Sequence, residues 1–303
     1  MKPARSISRI ATALSAALVA GMAQANPVPW QLNLPAGVTA TSRRIYDLHN
    51  FTLIMCTVIG VLVIGAMIWS MFHHRKSKGA VPAQFTHNTT AEVIWTIVPI
   101  ILLVIMTIPA TQTLFKMYDT SDSAMTVKVN GVQWMWRYEY VGQGVQFLSR
   151  LDRTSDRTRT LHSGLNPAKV TDKDGHNVYL LDVDHPLVLP VDTKIRFVVT
   201  GDDVIHSWWV PDFGWKQDAI PGVIGENWTK IDKPGIYRGQ CAELCGRDHG
   251  FMPIVVKAVP KAEFQSWLAQ QKAASSAADT AQAVPAAALP AVAQAAPVAP
   301  NAH

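Results

Sequence analysis

The sequence predicts a membrane-anchored protein, with a two-helix transmembrane hairpin followed by an all-β sandwich or barrel. Residues 51–72 and 93–115 carry no formal charge. Each run, as a helix rising about 1.5 Å per residue, is long enough to cross a hydrocarbon core of about 30 Å. From Met125 onward, short β-branched and aromatic runs alternate with Gly, Pro, Asp and Asn, which is typical of an all-β domain.

The N-terminal residues have the pattern of a secretory signal. Three basic residues precede an apolar, Ala-rich stretch, and residues 23–25 are Ala-Gln-Ala, a small-residue cleavage pattern. We therefore expect residues 1–25 to be a cleaved signal peptide and residues 26–45 to be an N-terminal periplasmic segment. An uncleaved membrane anchor is the alternative.

The predicted hairpin covers residues 46–118. The loop between its spans, residues 73–78, is His-His-Arg-Lys-Ser-Lys, and the positive-inside rule places this basic loop in the cytoplasm. The chain before and after the hairpin then lies on the other side. We expect a multi-pass protein of a bacterial inner membrane, in contact with lipid, with its N-terminus and its C-terminal domain in the periplasm.

The predicted β domain covers residues 119–272. A polar segment at about residues 150–176 has alternating charges and no periodicity, so we expect an insertion loop on the surface. Residues 260–272 begin with Pro and have an apolar face, which predicts a short helix that closes the domain. Residues 273–303 are rich in Ala, Pro and Val and predict a disordered tail.

The net charge of +5 does not indicate a nucleic-acid partner. Six basic residues of the signal and the cytoplasmic loop account for more than this excess, so the remainder of the chain is close to neutral.

The stretch C-A-E-L-C-G-R-D-H-G-F-M carries the most distinctive chemistry. Cys241, Cys245, His249 and Met252 offer two thiolates, an imidazole and a thioether, which are ligands for a soft metal. Zinc gains little from a thioether, whereas copper accepts one as a weak ligand. His206, in an apolar and aromatic strand-like run, would supply a second imidazole if two facing strands placed it beside the loop. Copper is therefore favoured.

Simpler interpretations exist for each part of this pattern. Two nearby cysteines often form a disulfide, the thiolates also fit zinc, and His206 alone would be an ordinary core histidine. The joint spacing C-x3-C-x3-H-x2-M with an upstream H-S-W is more specific than any of its parts. A mononuclear blue-copper site needs only one cysteine, so the second cysteine favours two thiolates bridging two copper ions.

With these residues the chain resembles cytochrome c oxidase subunit II, over about residues 40–272. The resemblance implies a cupredoxin-like domain with a dinuclear copper A centre. The implied copper ligands are His206, Cys241, Cys245, His249, Met252 and the backbone carbonyl of Glu243. It also implies that the Glu243 carboxylate helps to bind magnesium at the interface with the haem-bearing subunit I.

The resemblance implies roles for residues outside the copper motif. Trp134, in the aromatic run 131–140, would be the indole at which electrons arrive from cytochrome c, although an ordinary strand aromatic fits as well. Glu92 would lie at the mouth of a proton-conducting route, although Thr89 and Glu92 also fit a helix capping box. The acidic residues implied at docking surfaces are Glu139, Asp184 and Asp203 for cytochrome c and Asp218 for subunit I.

The resemblance implies that the chain is subunit II of a cytochrome c oxidase, an oxidoreductase complex that reduces oxygen and pumps protons. The chain would pass electrons from cytochrome c to haem in subunit I, with subunit III as a further partner and no oxygen-reducing site of its own. The alternatives are a membrane-tethered copper chaperone or storage protein, a quinol-oxidase-type subunit II, and a structural zinc domain.

Overall fold

The computed structural model describes residues 23–25 and 30–282, with side chains for residues 30–275. Most of the predicted signal peptide and the end of the predicted tail lie outside the described residues. Residues 23–25, at the expected cleavage pattern, form a three-residue strand, β1 (Ala23–Ala25).

Two long helices form the hairpin, α1 (Ala40–His73) and α2 (Thr89–Met117). Both are long and apolar enough to cross a membrane, and their apolar side chains point outward. The first helix begins before the predicted boundary because Thr39 caps it and exchanges hydrogen bonds with Ser42. Both of these side chains are buried.

The cap of α2 differs from the prediction. Asn88, rather than Thr89, is the N-cap, and its side-chain oxygen accepts a hydrogen bond from the Ala91 amide at 3.1 Å. Asn is among the strongest N-cap residues, which explains why the helix starts one position earlier than a threonine cap would allow. Glu92 still contributes to the cap, because its carboxylate accepts a bond from the Asn88 amide at 3.4 Å.

The β domain contains ten strands in two sheets, and β1 adds to one of them. In chain order the ten are β2 (Met125–Val132), β3 (Met135–Tyr140), β4 (Val145–Ser149), β5 (Leu187–Pro190), β6 (Ile195–Gly201), β7 (His206–Trp209), β8 (Lys216–Ala219), β9 (Gly225–Thr229), β10 (Gly235–Cys241) and β11 (Pro253–Val259). One sheet has the order β4-β3-β2-β6-β9 and the other β5-β11-β10-β7-β8, with β1 parallel to the start of β10.

The core lies between the two sheets and is strongly aromatic. Trp208 stacks on Trp215 with ring centroids 5.0 Å apart, and its indole nitrogen donates to the Tyr138 hydroxyl at 3.2 Å. Burial of such large side chains on both inner faces stabilises the predicted sandwich.

The hairpin is fastened directly to this domain. The Val38 amide donates to the Asp212 carbonyl at 3.0 Å, and Arg43 pairs with Asp232 at 2.7 Å. At the other helix end, the Trp228 indole nitrogen donates to the Lys116 carbonyl at 2.9 Å. The two helices therefore hold the β domain against the ends of the membrane spans.

The insertion and the tail are more regular than predicted. The segment expected to be a loop contains a short helix, α3 (Arg153–Arg159), whose N-cap Asp152 accepts bonds from two backbone amides. It is also partly buried, since Ser155 is fully buried and Val170 is only 5% exposed. The predicted closing helix is α4 (Lys261–Gln282), so the first ten residues of the predicted disordered tail are helical.

Candidate metal centre

His206 and Cys241 lie on adjacent strands and form the part of the site that we call the strand side. Cys241 ends β10 and pairs with Trp208, two residues after His206, so both side chains face the interior of the sandwich. His206 is fully buried and Cys241 is 6% exposed. The pairing of β7 with β10 thus places the imidazole beside the thiol, as the sequence predicted.

Cys245 and His249 lie on the turn after β10 and form the part that we call the loop side. The sulfurs of Cys241 and Cys245 are 3.8 Å apart, and the Cys245 sulfur is 3.6 Å from His249 Nδ1. Donor atoms of His206, Cys241 and Cys245 all lie within 4.8 Å of one another. Three of the predicted ligands therefore form one cluster, and His249 borders it.

The remaining two predicted ligands lie at the same place. The Cys241 sulfur is 3.4 Å from the carbonyl oxygen of Glu243, the oxygen that the sequence analysis singled out. Met252 is buried, and its carbonyl accepts a hydrogen bond from the Cys241 amide at 3.0 Å. The Glu243 side chain is exposed, and no three-residue cluster of metal-binding groups among the described residues includes it.

Asp203 orients His206. One carboxylate oxygen lies 2.9 Å from His206 Nε2, and the other accepts a bond from the Gln133 amide at 2.7 Å. The other ring nitrogen, Nδ1, is buried and has no hydrogen-bond partner among the described residues. A carboxylate on one nitrogen and an unpaired second nitrogen beside two thiols is the arrangement of a histidine that ligates a metal. The donor set thus fits a soft metal ion.

Gly131 leaves the space that the imidazole occupies. A Cβ at this position of β2 would lie 2.6 Å from Cδ2 of His206, closer than real contacts allow. The glycine therefore lets the facing sheet approach the histidine ring.

Two side chains of the turn between β2 and β3 hold the Cys245 carbonyl. Gln133 Nε2 donates to it at 2.9 Å and Trp134 Nε1 at 3.2 Å. The half-buried Trp134 is thus hydrogen-bonded directly to a residue of the metal cluster. A role for Trp134 was predicted from the sequence, whereas Gln133 was not singled out, although its polar side chain in an aromatic run was an available signal.

The two cysteines differ in acidity. Burial raises the pKa of Cys241, but the adjacent His206 imidazole and the nearby backbone amides of Ser207 and Glu243 outweigh burial and leave that pKa lowered. Burial and the negative charge of Cys241 raise the pKa of Cys245. For His206, burial lowers the pKa, yet its interactions with Cys241 and Asp203 give a net increase. One thiolate is therefore available near neutral pH, and a metal would displace the second proton.

The other predicted residues lie at different distances from the site. Asp184 accepts a bond from the Arg150 amide just after β4, at the end of the sheet near Trp134. Glu139 is five residues along β3 from Trp134, about 16 Å away in an extended strand. Asp218 is exposed on β8. Glu92 starts α2, which leads away from the β domain for about 43 Å.

A second group of metal-binding side chains lies in the insertion. Asp172, Asp174 and His176 come within 4.8 Å of one another, but the last two are exposed. Arg238 lies 3.7 Å from Asp172, so a cation of the protein already faces this group.

The fold and the cluster define a membrane-anchored protein with a cupredoxin-like domain and a soft-metal centre. The sequence matches the family described as cytochrome C oxidase subunit II, periplasmic domain, over residues 125–259, and its transmembrane domain over residues 27–113.

Two sequence relatives agree with this match. The chain is 36% identical to "Probable cytochrome c oxidase subunit 2" of Rickettsia bellii over 245 residues, which cover 81% of this chain and 86% of the relative. It is 36% identical to cytochrome c oxidase subunit 2 of Arabidopsis thaliana over 244 residues, 80% of this chain and 90% of the relative. The crystal structure of the periplasmic domain of subunit II of cytochrome oxidase of Bradyrhizobium japonicum is 38% identical, with a TM-score of 0.42, and covers 51% of this chain and 98% of that one.

The chain belongs to the cytochrome c oxidase subunit II family. It is therefore part of an oxidoreductase complex together with other oxidase subunits, and it is a membrane protein with a periplasmic domain. The family implies binding of copper A. The predictions of family, fold class and function as subunit II are confirmed, and the chaperone and quinol-oxidase alternatives are not favoured.

Proposed function

We propose that this chain accepts electrons from cytochrome c at a dinuclear copper A centre and delivers them to haem in subunit I. The observation that supports this most directly is the buried cluster of His206, Cys241 and Cys245, in which the buried Nδ1 of His206 has no hydrogen-bond partner among the described residues. Bound copper ions would supply one-electron chemistry here. The proposed ligands are these three residues together with Glu243 (backbone carbonyl), His249 and Met252.

The surrounding residues would keep this site rigid and dry. Asp203 fixes the orientation of the His206 ring, and Gln133 and Trp134 hold the Cys245 carbonyl. Burial of both cysteines excludes water from the thiolates. A site whose donors do not move favours electron transfer, because little rearrangement accompanies a change of oxidation state.

Trp134 is the proposed point at which electrons arrive. Its indole is partly exposed, while Nε1 touches the carbonyl of a proposed ligand residue. Asp184 and Asp203, near the same end of the sheet, would attract a basic cytochrome c, with Glu139 contributing at longer range. Asp203 would do so only in part, since both of its oxygens already accept hydrogen bonds.

The remaining proposals concern the assembled complex. We propose that the exposed Glu243 carboxylate binds magnesium and that Asp218 faces subunit I. Glu92 would start a proton route at the far end of α2, and its weak 3.4 Å bond to the cap leaves its carboxylate largely free. The complex, with subunit III, would lie in a bacterial inner membrane, with residues 1–25 removed as a signal peptide.

Metal analysis of the full-length chain in detergent tests the central proposal. We expect two copper ions per chain and the electron paramagnetic resonance spectrum of a delocalised mixed-valence pair. Cys245→Ser should abolish that spectrum, because it removes one of the two thiolates that would hold the copper ions. Cys56→Ser, which changes an exposed cysteine of α1, is the matched control and should leave the spectrum unchanged. One metal ion per chain, or zinc in place of copper, would contradict the proposal.

A further inference from the structure

Arg159 of the insertion between β4 and β5 touches the loop that carries Cys245 and His249, residues 242–252, which we call the metal loop. Arg159, at the end of α3, places its guanidinium 4.3 Å from the ring centroid of Phe251. Its Nη1 lies 3.5 Å from a carboxylate oxygen of Asp248, and its Nε pairs with Asp156 of the same helix at 2.7 Å. The guanidinium thus makes a stacking contact and an ionic contact with the metal loop.

Both partners of Arg159 lie between proposed ligands. Asp248 immediately precedes His249, and Phe251 immediately precedes Met252. Asp248 has a side chain only 17% exposed, and its carbonyl accepts a bond from the Phe251 amide at 2.9 Å. A movement of either partner would therefore move a ligand.

The ends of this loop, residues 242–252, are held by backbone bonds, since the Ala242 amide donates to the Ser207 carbonyl at 2.9 Å and the Cys241 amide to the Met252 carbonyl at 3.0 Å. Its middle belongs to no sheet, and among the described residues the His249 amide bonds only to the Gly246 carbonyl within the same turn, at 3.2 Å. An external contact is therefore more important here than it would be inside a strand ladder.

The insertion is itself fixed to the strand that carries Cys241. Arg238 of β10 has a side chain 3% exposed and donates to the Leu181 carbonyl at 3.1 Å and to Asp182 at 3.2 Å. The Leu180 amide donates to the hydroxyl of the buried Ser155, which ties α3 to the end of the insertion. Arg159 therefore extends from a segment that is anchored to β10.

We propose that Arg159 is a positioning residue for the metal loop. By joining Asp248 and Phe251 to the insertion, it holds the intervening His249 at the position where this residue completes the metal site. The proposal rests on the proposed function only for the identity of the metal, because the support of the loop does not require copper.

Hydrogen exchange of the metal-free full-length chain in detergent is the first test. Arg159→Gln should speed exchange of the amides of His249 and Phe251 about fivefold, the size expected when one partly buried ion pair and its ring contact are lost. Arg159→Lys keeps the charge but not the planar group, and should give an intermediate rate. Arg157→Gln, which changes an exposed arginine of the same helix, should leave the exchange unchanged.

Copper loading is the second test. Arg159→Gln should release copper to a chelator about fivefold faster than the unchanged chain, because the same ion pair and ring contact are lost. It should also alter the copper spectrum. Arg157→Gln should do neither. If Arg159→Gln does not fold, Asp248→Asn removes the ionic contact from the loop and should give the same exchange result.

These two measurements separate the proposals. A chain that binds no copper, but whose loop exchanges faster in Arg159→Gln, would overturn the copper proposal and support the role of Arg159. Equal exchange rates in Arg159→Gln, Arg157→Gln and the unchanged chain would overturn the role of Arg159, whatever the copper content.

Discussion

The strand side and the loop side of the metal centre are held in different ways. His206 and Cys241 lie on paired strands, so the backbone ladder between β7 and β10 sets their positions. Cys245 and His249 lie on a turn with no ladder, where Gly246 has a φ of +118°. The turn is held by side chains from outside, namely Gln133, Trp134 and Arg159.

Because the two sides are held differently, we expect mutations on them to have different effects. A change on the strand side disturbs the packing of the two sheets, and the fold and the metal site should fail together. A change on the loop side should alter the site or its surface while the sandwich remains folded. Three substitutions, in order of expected effect, test whether the division holds.

Gly131→Ala should have the largest effect, because it acts on the strand side. The new methyl group would meet the ring and Cβ of the buried His206 at 2.6 to 2.9 Å. Overpacking of this kind costs about 1–3 kcal/mol, and the histidine would have to leave its position. Chemical unfolding of the metal-free chain should show this loss, and copper binding should fall.

Gly250→Ala is the matched control on the loop side. A Cβ at Gly250 would have no atom within 4 Å, and we expect unchanged stability and copper content. Equal stability of the Gly131 and Gly250 variants would show that His206 is not confined by the facing sheet, and would remove the distinction between the two sides.

The same division explains how far the sequence could predict the structure. The two membrane helices and the β domain follow from hydrophobic length and strand periodicity, which are local properties. The ligands Cys241, Cys245, His249 and Met252 lie within twelve residues, and ligand spacing is also a local signal.

The residues that hold the site were harder to find. Gln133 and Cys245 are 112 positions apart, and no local pattern joins them. Asp203 was expected only as a docking carboxylate, but it binds His206, three residues later. The insertion was expected to be a loop because it lacks periodicity, yet Asp152 caps a helix there and burial orders the segment. Tertiary contacts decided each of these cases.

Trp134→Ala should have the second largest effect, on electron arrival. Loss of a central aromatic contact in a transient interface costs about 2 kcal/mol, which corresponds to about a thirtyfold slower second-order reduction by cytochrome c. The copper spectrum should change little, because Gln133 still holds the Cys245 carbonyl at 2.9 Å. Stopped-flow reduction of the copper-loaded chain measures the rate.

Trp134→Phe is the control for this prediction, since it keeps a ring but loses the indole donor. An intermediate rate would indicate that the ring surface contributes to docking. If Trp134→Ala is reduced as fast as the unchanged chain, electrons do not arrive through this residue.

Arg247→Gln should have the smallest effect and the opposite sign. The Arg247 guanidinium lies 5.5 Å from the centre of the Trp134 ring, its side chain is 81% exposed, and it pairs with Asp248 at 3.5 Å. A positive charge beside the proposed docking point repels a basic cytochrome, so its removal should raise the association rate about twofold at low salt. At about 1 M salt, where the Debye length is about 3 Å, the difference should disappear.

Arg44→Gln, which removes the same charge near the start of α1, is the matched control and should leave the rate unchanged at both salt concentrations. A slower reaction of Arg247→Gln at low salt would mean that this arginine binds an acidic group of the donor. The loop side would then attract the cytochrome directly. In that case the role of Asp248 toward Arg247 would be to orient the guanidinium, not to neutralise its positive charge.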